Sequence, residues 1–228
     1  MLGNGRVNAK PSVALAAVAA IAFVLSACRG DAPGHRGSGA AGAGVASATA
    51  ERADERCDAP NASLIVDSLG IGPVLRGGRI VALARRCTVA DTTLSLEGMR
   101  ERAHTAAVRG HSVVVLSTGT PDTSIIRVMT SDPAFKTAGG VGVGSSVQAL
   151  RLAHGRICAA RGESAFVVMA AELPGVSFAI DWNPPPSRDP AAADTPFPGG
   201  DPGTALDAAR ITGLWVHGVS GGCRVSVS

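Results

Sequence analysis

The chain has no tyrosine, and aromatic residues make up 3% of its 228 positions. That composition leaves no material for an aromatic-rich recognition face. It also has no C-x-x-C pair, which argues against a dithiol redox motif, and no H-E-x-x-H or i, i+4 histidine pair to hold zinc on a helix. A Walker-type G-K-[ST] is missing too. The charge is nearly balanced: 21 Lys and Arg face 18 Asp and Glu, and setting aside Arg6 and Lys10 near the N-terminus leaves 19 against 18. The basic residues read as scattered singles and pairs such as Arg85-Arg86. A chain so close to neutral offers no electrostatic footprint for nucleic acid, so a nucleic-acid partner is not expected.

What the N-terminus does have is an ordered set of export signals. Arg6 and Lys10 form a positive region, residues 11–24 are apolar, and Leu25-Ser26-Ala27-Cys28 closes the stretch. The apolar run is too short for a bilayer core of about 30 Å, which takes about 20 apolar residues, so it reads as a processed signal. The tetrapeptide is a lipobox, and the segment resembles the signal of bacterial lipoprotein precursors. That resemblance implies cleavage before Cys28, a diacylglycerol on its sulfur and a fatty acyl group, such as palmitate, on its freed amine. Residue 29 is Arg and not Asp, so the same resemblance points to the outer membrane, facing the periplasm, as the destination. Several acyl chains on one residue give stable anchoring where a single chain binds only marginally. The bilayer is therefore the first expected partner.

Residues 28–56 are expected to be a flexible tether, with six Gly and eight Ala between 29 and 56 and no apolar periodicity. From residue 57 to 228 the sequence reads as one domain, long enough to bury a core. Four cysteines remain in it, Cys57, Cys87, Cys158 and Cys223, at spacings of 30, 71 and 65 that match no zinc knuckle. In an oxidising compartment an even set is expected to form disulfides. Three connectivities are open, of which Cys57–Cys87 with Cys158–Cys223 ties each helix end to a neighbouring strand or terminus.

The domain carries an internal repeat. Gly77-Gly78-Arg79-Ile80-Val81-Ala82-Leu83 aligns with Gly144-Ser145-Ser146-Val147-Gln148-Ala149-Leu150 at an offset of 67, each preceded by a glycine-spaced segment. Each copy opens a helix. Ile80, Leu83, Ala84 and Cys87 share one face of the first; in the second, Ser145 and Gln148 are expected to form a capping box, with Gly155 as the stop. Strand patterns follow over 88–94, 112–117 and 124–130, then over 165–171, 176–182 and 210–217. The expected class is α+β: an antiparallel sheet with two short helices on one face, built from two tandem helix-plus-three-strand units. A loop over 183–203 with seven prolines follows no strand pattern.

Helix-plus-antiparallel-sheet repeats of this kind, opened by a Gly-rich turn in an exported lipoprotein, are similar to the fold of β-lactamase inhibitor proteins and of small lipoproteins accessory to outer-membrane assembly. Phe135-Lys136-Thr137 with the run from Gly140 to Ser145 also resembles a segment of uncharacterised bacterial lipoproteins. The resemblance implies a non-catalytic binding or scaffold role toward an envelope protein or glycan. The glycine run could cradle an anion at a helix N-terminus, but a glycine turn with an N-cap is the favoured reading. The competing expectation is a periplasmic hydrolase with Asp181 and His217 brought together by strand pairing. No catalytic residue, metal or cofactor is otherwise expected.

Overall fold

In the computed structural model the described residues are 49–96, 98–118, 124–162, 165–182 and 202–218. The lipobox, most of the tether, the proline-rich stretch and Cys223 lie outside them. The elements are helices α1 (49–54), α2 (Ile80–Ala84) and α3 (Val147–His154), and strands β1 (Ile65–Asp67), β2 (Gly70–Ile71), β3 (Val74–Leu75), β4 (Thr88–Leu96), β5 (Met99–Val108), β6 (His111–Thr118), β7 (Ser124–Thr130), β8 (Lys136–Thr137), β9 (Ile157–Arg161), β10 (Phe166–Ala170), β11 (Val176–Ile180) and β12 (Ile211–Val216). The class is α+β with antiparallel sheet predominating.

Eight strands form the larger sheet in the order β4-β5-β6-β7-β12-β11-β10-β9, all antiparallel; the smaller sheet, β3-β2-β1-β8, has one parallel pair, β1 with β8. α2 and α3 are thus each followed by four strands of the larger sheet rather than the expected three. The additional strands are β5 and β9. Met99–Arg102 at the head of β5 is exposed and charged, so only Ala103, Ala106 and Val108 mark its buried part. β9 is short and alanine-rich, with no β-branched run.

The larger sheet is two meanders joined at β7 and β12, and the register is symmetric about that seam. Trp215 pairs with Met129, flanked by Leu214 with Thr130 and Val216 with Val128, so positions 86 apart exchange places. Under the same correspondence the register shift at Leu116/Ser117 in β6 falls level with the one at Ala179/Ile180 in β11. The glycine turns match as well. Gly77 N–H donates to the Ile125 carbonyl at 2.7 Å and Gly144 N–H to the Ile211 carbonyl at 2.8 Å; Ile125 and Ile211 return bonds to Gly78 and Ser145.

Gly77 and Gly144 have φ of 79° and 85°, and a Cβ at either would touch nothing within 4 Å. Only backbone strain opposes a side chain there. Gly77→Val and Gly144→Val are each expected to cost about 1–2 kcal/mol, whereas Gly39→Val in the expected tether should cost nothing. Urea unfolding of the three variants checks this; insensitivity at Gly77 or Gly144 would break the equivalence of the two turns.

One core joins the helices to the inner side of the larger sheet. Leu83, Val147 and Leu150 pack with Val115, Val128, Phe178 and Leu214, all 1% exposed or less. The cap of α3 is Ser146, whose side chain accepts from Ala149 N–H, and not Ser145, whose hydroxyl accepts from Gly142 N–H. Gly155 ends the helix as expected, at φ 67°. In α2, Leu83 is buried and Ala84 exposed, so that face is narrower than its spacing suggests.

The domain also begins earlier than residue 57. Residues 49–54 are helical; Arg52 pairs with Asp67 and donates to the Gly72 carbonyl, and Glu55 accepts from Ser63 N–H at 2.9 Å. Low apolar content conceals this docking, because one ion pair and hydrogen bonds, not burial, supply it.

Candidate functional site

Of the expected site residues, Cys57 and Cys87 form a disulfide, with Cα atoms 4.9 Å apart. Cys158 is also disulfide-bonded. Cys223 and Cys28 lie outside the described residues.

Asp181 and His217 do not meet. β11 and β12 run antiparallel, with Val176 opposite Val216 and Ile180 opposite Ile211, so the two residues stand near opposite ends of the pair. Asp181 Oδ1 instead accepts from Arg210 N–H. His217 joins Ser177, whose Oγ is 2.6 Å from Nε2, while Nδ1 lies 3.1 Å from the Gly218 carbonyl. A carbonyl can only accept, so Nδ1 carries a proton, and in the neutral form of the ring Nε2 accepts from the Ser177 hydroxyl. A hydroxyl buried at 3% is satisfied in this way. Strand alternation alone gives no sign of this partner, since it depends on which residue follows the end of β12.

Ser177 and His217 border a groove of about 230 Å³ on the larger sheet, together with Ala160, Val167, Met169, Arg127 and Trp215. A space of that size suits one ring-sized group. Two glycines border the indole. A Cβ at Gly162 would lie 3.4 Å from Trp215 Cζ3 and one at Gly213 3.5 Å from Nε1. The indole therefore lies across the sheet, with one end over each glycine. The opposite meander places Met129 where this one has Trp215, and Val114 where it has Ser177. There Ala103, Leu116 and Met129 form an apolar cluster, with Leu94, Leu96, Val114 and Trp215 itself packed beside it.

The remaining described histidines lie beside structural partners. His111 Nδ1 is hydrogen-bonded to Asp132 at 3.0 Å, while His104 Nδ1 lies 2.9 Å from Asp91 without making a hydrogen bond. Burial pushes the Asp132 carboxyl up, but the Ala134 N–H and His111 outweigh it and hold the group below the usual range. His154 is 7% exposed, with Nε2 2.7 Å from Thr137 Oγ1. Burial lowers its pKa, and Glu172 opposes this only in part. The folded pKa thus lies below the unfolded value near 6.5. Its contribution is complete above about pH 6.5 and is lost as pH falls toward the folded value. Between pH 7.5 and 5.5 the parent protein is expected to lose more stability than His154→Gln, as thermal unfolding at the two pH values will show; equal losses would contradict the assignment.

The Gly140–Gly144 run serves as the turn before α3, with Gly140 and Gly144 at φ 77° and 85°. No group of three or more His, Cys, Asp or Glu side chains able to hold a metal occurs among the described residues. No described helix is long and apolar enough to cross a membrane. No Gly-x-Ser-x-Gly is expected in this chain, yet Gly218-Val219-Ser220-Gly221-Gly222, which follows His217, spells one. A nucleophile elbow needs a strand–turn–helix setting, and only Gly218 of this run lies among the described residues.

The fold and groove define an α+β domain, mostly antiparallel sheet, with a small partly apolar recess beside Trp215. No protein-family model matches the chain, and no curated protein matches it. Among solved structures it is similar to the uncharacterised protein yfeY from Escherichia coli, at 16% identity, covering 67% of this chain and 99% of that one, with a TM-score of 0.42. Similarity at that level says nothing about activity.

Proposed function

We propose that the chain is an envelope lipoprotein, anchored through acylated Cys28 in the outer membrane and facing the periplasm, whose domain is a non-catalytic binding or scaffold module for an envelope protein or glycan. The domain is read as two tandem copies of one unit, their helices covering the same side of the sheet. The observation that carries the binding role is the groove beside Trp215. Two matched meanders differ there, and the difference supplies an indole cradled on glycines and a polar pair to only one of them. The Cys57–Cys87 disulfide suits a compartment outside the cytoplasm.

The test is site-specific photo-crosslinking in intact membranes. A benzoylphenylalanine placed at Trp215 is expected to yield a discrete adduct. The same residue at Leu152, 81% exposed on α3, should yield none. Adducts from both positions or from neither would overturn the assignment of the groove.

The hydrolase reading retains one observation in its favour, the Ser177–His217 bond, whose third partner is a backbone carbonyl where Asp181 was expected. Fluorophosphonate labelling of Ser177 or Ser220 would decide for it; the binding reading expects neither to react.

A further inference from the structure

Arginines that are scattered in the sequence converge in the fold. Arg56, Arg85, Arg86 and Arg109 line a second recess, of about 360 Å³, with Asp58 as its single acid. Arg56 occupies that acid through two bonds, Nε to Oδ1 at 3.0 Å and Nη2 to Oδ2 at 2.9 Å. Arg86 is turned onto the Glu55 carbonyl at 2.9 Å. Arg85 and Arg109 have no ion pair among the described residues.

The three segments that bear these arginines are fastened to one another. The Cys57–Cys87 disulfide links the first to the second, Cys57 N–H donates to the Arg86 carbonyl at 3.1 Å, and Arg109 N–H donates to the Cys57 carbonyl at 2.8 Å. Arg109 holds its place against its own backbone preference. It occupies the first central position of the two-residue β5–β6 turn at φ 52°, followed by Gly110 at 84°, and no other non-glycine among the described residues has positive φ. Such a turn favours Asn-Gly. An arginine there is a local cost, kept at a point where its charge joins three others.

We infer that this recess is a phosphate-binding site, formed by guanidinium groups whose planar donors match phosphate oxygens. Two sources share that chemistry: a phospholipid headgroup at the bilayer surface and a soluble phosphate ester. The headgroup source rests on the anchored reading proposed above. On that reading the acylated Cys28 lies 28 residues before Arg56 in the chain.

The experiment uses the full acylated chain. In neutral detergent, inorganic phosphate is titrated by calorimetry against the parent, Arg85→Glu, Arg109→Asn and Arg100→Glu, the last placed near the far end of β5. Saturable binding is expected in the parent and in Arg100→Glu, and affinity at least fivefold lower in the other two. Arg109→Asn should melt no lower than the parent, because asparagine suits the turn, so weaker binding in it cannot be attributed to misfolding. Hydrogen exchange in nanodiscs then separates the sources. Slower exchange at 85–88 and 107–110 in phosphatidylglycerol than in phosphatidylcholine discs assigns a headgroup; equal exchange, with phosphate bound in detergent, assigns a soluble ester. Absence of phosphate binding together with equal exchange, or an equal loss in Arg100→Glu, overturns the site. Failure of the chain to remain on discs would count against the anchor and leave the detergent result standing.

Discussion

Truncating Phe178 to alanine is expected to lower the unfolding free energy by about 3–5 kcal/mol, the usual cost of removing a fully buried aromatic side chain and leaving part of its space empty. Phe178 is 0% exposed at the middle of β11, between Val168 of β10 and Leu214 of β12, each also 0% exposed. With typical total stabilities of about 5–15 kcal/mol, a loss of that size consumes a large share of what holds a domain together. The matched position in the other meander is Val115, also 0% exposed, whose smaller side chain sets a smaller loss for Val115→Ala. Leu152→Ala, on the exposed side of α3, should stay within about 0.5 kcal/mol of the parent. Urea unfolding with a common slope measures all three. A loss under about 1 kcal/mol at Phe178 would mean that the core is not where the inner sheet face places it.

The parts of the fold legible in the sequence are those carried by local signals. Gly77 and Gly144 mark positive φ, Gly155 marks a helix end, and alternation over 176–182 marks β11, because each depends on backbone sterics or on a face shared with the core. Less legible were elements whose stabilisation comes from elsewhere in the chain. Met99–Arg102 of β5 is solvated on both sides and gains its pairing from β4 alone, so no hydrophobic period marks it. Residues 49–56 dock through Arg52 and Glu55, partners that a composition rich in Ala and Gly conceals. The groove was half visible. Alternation puts Ser177 on a sheet face, but the Ser177–His217 pair and the Trp215 cradle arise only when β11, β12 and the β9–β10 turn come together. Asp181 failed as a partner for the same reason, since antiparallel pairing sent it toward the other end of β12.

Replacing Cys28 by serine is expected to have the largest effect of any single change. The proposed anchor is the sulfur and amine of that one residue, and each buried methylene contributes about 0.8 kcal/mol toward membrane binding. No described helix offers a spanning alternative. The variant should accumulate as unprocessed precursor or as protein without acyl chains, and the mature parent form should disappear from the detergent phase.

Intact-mass analysis of the parent protein extracted from membranes tests the account most directly. The mass expected is that of a chain beginning at Cys28 and carrying a diacylglycerol and an additional acyl group, with a tandem spectrum placing all of that mass on residue 28. A chain that keeps residues 1–27, or that begins elsewhere without acyl groups and leaves the membrane in salt, would contradict it.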